Sequence, residues 1–310
     1  MAEFRYCIAD VFTGEPFGGN PLAVLPRADG LDDGRMQQIA REFNLSETVF
    51  VLPPEDPAHT RRLRIFTPGG ELPFAGHPTI GAAHVLAALG EIELAGEETP
   101  IVFEQGIGPV AVAIRAREGR PDGARLTTAR LPEAGPPPPA IEELAALLGL
   151  APAELDTDGL GPQAWSCGVP FLIVPVRDTG ALARVEFDRA RWQATLAAYW
   201  APQLYLVTRA GVAAGTDLRA RMFAPAMGIL EDPATGAAAA ALAGYLVAVG
   251  EGAGSTRRWA VEQGVEMGRR SRLEVEADVS AGAVTAVRVG GGCVLLGEGC
   301  LRLPDSGGDA

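Results

Sequence analysis

Short apolar runs separated by turn-forming residues dominate the chain, and that rhythm predicts more strand than helix. In the first part, "FRYCIAD", "LAVL", "TVFVL", "RRLRIF", "PIVFE" and "PVAVAIR" are rich in Val, Ile, Leu and Phe and bounded by Gly, Pro or Asp, as short β-strands are. The second part continues with "FLIVPV", "QLYLVT", "LRARMF", "RWAVEQG", "RLEVEA", "AVTAVRV" and "CVLLGEG". Helices are fewer. "DDGRMQQIAREFN" spaces its apolar residues at a helical period, and "AIEELAALLG" and "FDRARWQATLAAYW" read as surface helices of the second half. Two further segments differ in kind. "HPTIGAAHVLAALG" and "DPATGAAAAALAGYLVAVG" are apolar nearly all round, which marks a helix enclosed by other structure. Each is expected to carry Pro at its first helical position and Gly at its end. The pattern predicts an α+β protein in which sheets wrap buried helices.

A chain of 310 residues is ordinarily two domains. The stretch "REGRPDGARLTTARLPEAGPPPPA" has the Pro and Gly content of a connection. It places the boundary between Ala116 and Ala140, giving domains at 1–122 and 123–310, with the last strand free to return to the first domain. The tail "PDSGGDA" is expected to fray.

The two halves repeat. In "RIFTPGGELPFAGHPTIGAA" and "RMFAPAMGILEDPATGAA", Arg64, Phe66 and Pro68 match Arg221, Phe223 and Pro225. After a loop two residues shorter, Pro78, Gly81, Ala82 and Ala83 match Pro233, Gly236, Ala237 and Ala238, which sets His77 opposite Asp232. An internal duplication explains the shared order: two similar domains, each a β-barrel-like sheet around a central buried helix, related by a pseudo-twofold. A helix N-terminus carries unpaired N–H groups and about half a positive charge. Two such ends facing one cleft would bind a carboxylate without a basic side chain. Small residues would let it approach: Gly76 and Thr79 on one side, Thr235, Gly236 and Ala237 on the other. Asp232 is also an ordinary N-cap residue that needs no further role. His77 is a less usual cap, and His84, seven residues on, reads as packed.

Composition narrows the chemistry. The formal net charge of −13 disfavours nucleic acid and anionic membrane surfaces, which need a basic face. The sequence has no lysine, which removes pyridoxal-phosphate Schiff-base chemistry and Walker-type phosphate loops. No GxGxxG follows a strand, and three histidines without HExxH give no zinc hydrolase. Four cysteines, none in a CxxC pair, read as buried reduced thiols of a cytoplasmic protein, and the N-terminus shows no signal-peptide pattern. No metal and no cofactor is expected. A last candidate is the junction "FNLSETVFVL", where Ser46 and Glu47 sit at the mouth of a strand. A carboxylate partly desolvated there can carry protons in both directions.

Taken together, "DVFTGEPFGGNPLAVL", "NLSETVFV", "AGHPTIGAA", "EDPATGAA" and "EQGVEMGR" resemble the PhzF-like family of phenazine-biosynthesis isomerases, across almost the whole chain and in the same order. The resemblance implies the diaminopimelate epimerase fold with a site between two similar domains. It implies Glu47, His77 and Asp232 as catalytic residues, with Glu47 shuttling a proton on a dihydro-hydroxyanthranilate-like acid without a cofactor. It implies substrate contacts from Gly76, Gly236 and Ala237, from Asn20 of "GGNP", and from Ser46 and Thr235 beside them. A homodimer is expected from the same likeness. Many relatives have Ser where this chain has Ala237, which removes one hydroxyl contact and about 0.5–1.5 kcal/mol of substrate discrimination. Racemases of the same superfold place Cys directly before Gly-His; here that position is Ala75, so a two-thiol mechanism is not expected. A non-catalytic metabolite-binding protein with the same cleft is the alternative, and a racemase or epimerase a less favoured one.

Overall fold

The computed structural model describes residues 1–157, 159, 161–251 and 255–304; the tail expected to fray lies, from 305 on, outside them. Along the chain, β1 (Ala2–Val11), β2 (Asn20–Leu25), α1 (Asp33–Phe43), β3 (Glu47–Leu52), β4 (Arg61–Phe66), β5 (Glu71–Leu72), α2 (Gly76–Ala88), β6 (Glu98–Gln105), β7 (Gly108–Arg117) and β8 (Arg120–Thr127) come first. They are followed by β9 (Glu133–Ala134), α3 (Ile141–Leu147), β10 (Gln163–Ser166), β11 (Pro170–Pro175), α4 (Thr179–Ala183), α5 (Arg189–Thr195), β12 (Gln203–Thr208), β13 (Leu218–Ala224) and β14 (Ile229–Asp232). Then come α6 (Gly236–Leu246), β15 (Thr256–Gln263), β16 (Ser271–Ser280), β17 (Ala283–Gly291) and β18 (Cys293–Leu303). The protein is α+β with mixed sheets. Its backbone forms two compact units, Met1–Leu126 with the segment from Gly291 onward, and Thr127–Gly290.

In the first unit β18 and β2 flank β1, both antiparallel to it. From β2 the row continues parallel to β3, antiparallel to β4, parallel to β6, then antiparallel to β7 and β8, with β5 folded back on β4. In the second unit β9 and β11 flank β10, both antiparallel to it. From β11 the row is parallel to β12, antiparallel to β13, parallel to β15, then antiparallel to β16 and β17, with β14 folded back on β13. The order of strand senses is the same in both.

Helix α2 touches β1, β2, β3, β7 and β18. Because β18 and β7 lie toward opposite ends of the row, the sheet must curve round the helix. Ile80, Val85 and Leu86 are fully buried, each burial contributing about 1.5–3 kcal/mol. Gly81 sets the depth of packing, since a Cβ there would lie 2.5 Å from Leu22 Cδ2. In the second unit α6 touches β9, β10, β11 and β16 and is buried along almost its whole length. The amphipathic α1 covers an outer face instead. Asp32 caps it by accepting from Arg35 N at 2.8 Å, and Met36, Ile39 and Ala40 pack with Phe50 and Phe66.

The structure corrects several expectations. Helix α2 begins at Gly76, so Pro78 is its third residue rather than its first, and α6 begins at Gly236, three residues after Pro233. Helix α5 covers only Arg189–Thr195 of the longer run. The strand expected over "ARLTTARL" stops at Thr127. The short α4, β5, β9, β10 and β14 carry too few residues to show a period.

Candidate active site

In the first unit three segments deliver polar side chains into an apolar surrounding. Strand β3 opens with Glu47, and the parallel ladder sets Leu22 of β2 level with it. Asn20, fully buried, begins β2 two residues earlier, and Ser46 precedes β3, half-buried. Helix α2 enters through Ala75, which has extended backbone and no side-chain cap. The N–H groups of Gly76 and His77 therefore have no partner within the helix, and Pro78 has no N–H. His77 is thus the second residue of the helix and not its cap. Its Nε2 lies 3.2 Å from Glu47 Oε2, and only 6% and 8% of the two residues are exposed. The approach is off the line a hydrogen bond prefers. Burial pulls the His77 imidazole down to about 3, so the ring is neutral near pH 7. His84, further along the same helix, is buried and drawn down to about 4 for the same reason, opposed by the charge of Asp122.

In the second unit Asp232 ends β14, 6% exposed. The N-cap of α6 is Thr235, whose hydroxyl donates to Asp232 Oδ2 at 2.5 Å. Gly236 and Ala237 form the first turn, and their N–H groups lack a partner within the helix. The Thr235 hydroxyl is thereby committed inside the protein, and Asp232 is a residue ahead of the helix and not its cap.

Two glutamines complete these ends, and sequence reasoning passed over both. Gln105 closes β6 and donates through Nε2 to Thr79 Oγ1 at 2.8 Å, while Thr79 donates to Ala75 O at 2.7 Å. Gln263 closes β15, is 0% exposed, and donates to Asp232 O at 2.8 Å and to Thr235 Oγ1 at 3.0 Å. Its Oε1 accepts from Thr235 N and from the Tyr205 hydroxyl, each at 3.2 Å. Burial and the nearby charge of Asp232 raise Tyr205, which stays protonated. The signal was present: Glu-Gln-Gly occurs at 104–106 and again at 262–264.

Each hairpin leading to a buried helix is held by a matching clamp. Arg64 binds Glu71 through two hydrogen bonds of 2.7 and 2.6 Å and lies 5.1 Å over the Phe66 ring. Arg221 binds Glu231 at 2.8 and 2.9 Å and lies 5.0 Å over Phe223. Among the described residues no group of His, Cys, Asp and Glu is placed to hold a metal ion, and no helix is long and apolar enough to cross a membrane. Of the four cysteines expected to be buried, Cys7 and Cys293 are, while Cys167 is half-buried and Cys300, in β18, is exposed; burial and the charge of Asp10 push the Cys293 thiol up.

The profile of the PhzC-PhzF family, described as phenazine biosynthesis-like protein, matches residues 9–299. An uncharacterised isomerase of Mesorhizobium japonicum is 42% identical over 97% of this chain and 99% of its own. The trans-2,3-dihydro-3-hydroxyanthranilate isomerase of Pseudomonas aeruginosa is 35% identical over 95% of this chain and 98% of its own. A PhzF-family phenazine biosynthesis protein of Bacillus anthracis has a similar structure, with a TM-score of 0.88 and 26% identity, covering 98% of this chain and 100% of that one.

Proposed function

The chain belongs to the PhzC-PhzF family, and from that premise we propose a cofactor-independent isomerase that moves a proton on a small carboxylic acid. The contact between His77 and Glu47, 3.2 Å apart and buried, carries the reading. A carboxylate out of water holds its proton more readily and so can both take and return one. The neutral imidazole beside it can orient the carboxylate or the substrate without adding a charge.

In this reading Asp232, at the end of β14, is the catalytic residue of the second unit. The substrate contacts proposed in the first unit are Asn20, Ser46 and the N–H of Gly76, and in the second Thr235 and the N–H groups of Gly236 and Ala237. The two units arose by duplication. The identical order of strand senses, the two Arg–Glu clamps and the repeated Glu-Gln-Gly support that origin. The substrate is an unsaturated acid similar to trans-2,3-dihydro-3-hydroxyanthranilate, and Ala237 selects against relatives that rely on a hydroxyl at that point. A cytoplasmic homodimer accompanies this reading.

The test is to incubate the protein in deuterium oxide with trans-2,3-dihydro-3-hydroxyanthranilate and related small ring acids, and follow isomer formation and label by mass spectrometry. Turnover with one solvent deuteron in the product is expected. Acids that raise the melting temperature without any turnover or label would instead mark a metabolite-binding protein.

A further inference from the structure

We propose that Gln263 is a positioning residue that locks the Thr235 hydroxyl as a hydrogen-bond donor to Asp232. The inference rests on the reading above only in taking Asp232 to be a residue of the site. Its basis is the direction of each bond. Thr235 N–H can only donate and Asp232 C=O can only accept. The glutamine amide bridges both, at 3.2 and 2.8 Å, so Oε1 must face the N–H and Nε2 must face the carbonyl. The Tyr205 hydroxyl donates to the same Oε1 and holds the amide in that orientation.

The fixed Nε2 also donates to Thr235 Oγ1 at 3.0 Å. That hydroxyl is therefore an acceptor on one side, and its own hydrogen is directed to the remaining neighbour, Asp232 Oδ2, at 2.5 Å. A hydroxyl rotor that could point either way is set one way by a side chain that itself has no exposed surface. Such a donor favours the ionised form of the aspartate. It also fixes Oδ2 as the oxygen that takes this bond.

The first unit has no equivalent lock. There Gln105 reaches Thr79, which hands its hydrogen to the Ala75 carbonyl and not to a carboxylate. The same glutamine thus serves helix entry in one unit and aspartate orientation in the other. Of the charged groups near Gln263, Arg221 pairs with Glu231, Arg219 with Glu266, and Arg270 with Glu262. The first turn of α6 carries no acidic residue, and buried Tyr205 remains a neutral donor.

The experiment follows the Asp232 side chain directly, by NMR titration of protein labelled with 13C at aspartate carboxyls, the resonance assigned with Asp232→Asn. Gln263→Leu and Thr235→Val should each raise the Asp232 midpoint by about one pH unit, and Thr235→Ser should leave it as in the parent. If Gln263→Leu does not fold, Gln263→Met takes its place, since a thioether of similar length adds no charge, cannot donate to Thr235 Oγ1 and should raise the midpoint likewise. With an active substrate, the Gln263 variant should lose kcat more than it changes KM. An unchanged Asp232 midpoint in the folded Gln263 variant, with Thr235→Val shifted, overturns the proposal. Failure to find any turnover would count against the isomerase reading alone, because the titration needs no substrate.

Discussion

Replacing Glu231 by Ala should destabilise the second unit far more than Glu71→Ala destabilises the first, although the two clamps share their chemistry. The difference lies in burial and in what each arginine keeps. Arg221 and Glu231 have side chains 9% and 17% exposed, against 15% and 41% for Arg64 and Glu71. Without Glu231, Arg221 retains only the carbonyls of Leu182 at 3.0 Å and Val185 at 3.2 Å and the Phe223 ring. A buried charge left with neutral partners costs about 3–5 kcal/mol, and these retained bonds put the expected cost at the lower end, about 3. Without Glu71, Arg64 still pairs with Asp33, and the exposed partner removed is worth about 1 kcal/mol or less. Fluorescence separates the two units, because Trp165, Trp192, Trp200 and Trp259 all belong to the second. Urea unfolding followed by far-UV circular dichroism, which reads both units, should shift strongly for Glu231→Ala and little for Glu71→Ala, with tryptophan emission following the second unit alone. The pair Arg221→Met with Glu231→Leu should recover part of the loss, since it removes the stranded charge. Equal shifts for the two single variants, or a larger one for Glu71→Ala, would refute the reasoning.

Acid should weaken the fold through the buried histidines. Their folded-state values, about 3 for His77 and about 4 for His84, lie below the ordinary 6.5, so the unfolded chain binds the extra protons. Stability is then complete above about pH 6.5 and falls as pH drops toward those values, by up to about 1.4 kcal/mol per pH unit for each ring; unfolding of His84→Leu across pH 4–7 should show a slope smaller by one proton. Gly264→Ala should cost about 1–3 kcal/mol or more, because φ is +76° and a Cβ would lie 2.5 Å from Arg269 O and 2.6 Å from Pro233 O, which a thermal melt will show. Iodoacetamide should label exposed Cys300 and leave turnover unchanged; loss of activity would revive thiol chemistry.

Much of the architecture was legible because it repeats along the chain. The apolar runs were long enough to show period, and the two all-apolar helices could only be buried. Glu47 and His77 were visible as ionisable residues placed where a strand or helix begins. Their contact was not, since 30 residues and a hairpin separate them and only the parallel β2–β3 ladder and the curved sheet bring them together. The glutamines were missed for a different reason. A Gln at a strand end looks like surface, and its role depends on partners from β12, β14 and the entry to α6, which no local pattern announces. The start of α2 was misplaced because Pro fits any position of a helix's first turn, where N–H groups have no partner anyway, and that of α6 because Pro is equally at home in the extended residues ahead of a cap.

The central claim is that Glu47 moves the proton. The most direct measurement is single-turnover isomerisation in deuterium oxide by Glu47→Gln, compared with the parent protein at matched folding stability. A loss of at least about a hundredfold in the rate at which labelled product forms, with substrate still bound, is the predicted result; a variant that forms labelled product within a few-fold of the parent rate would contradict it.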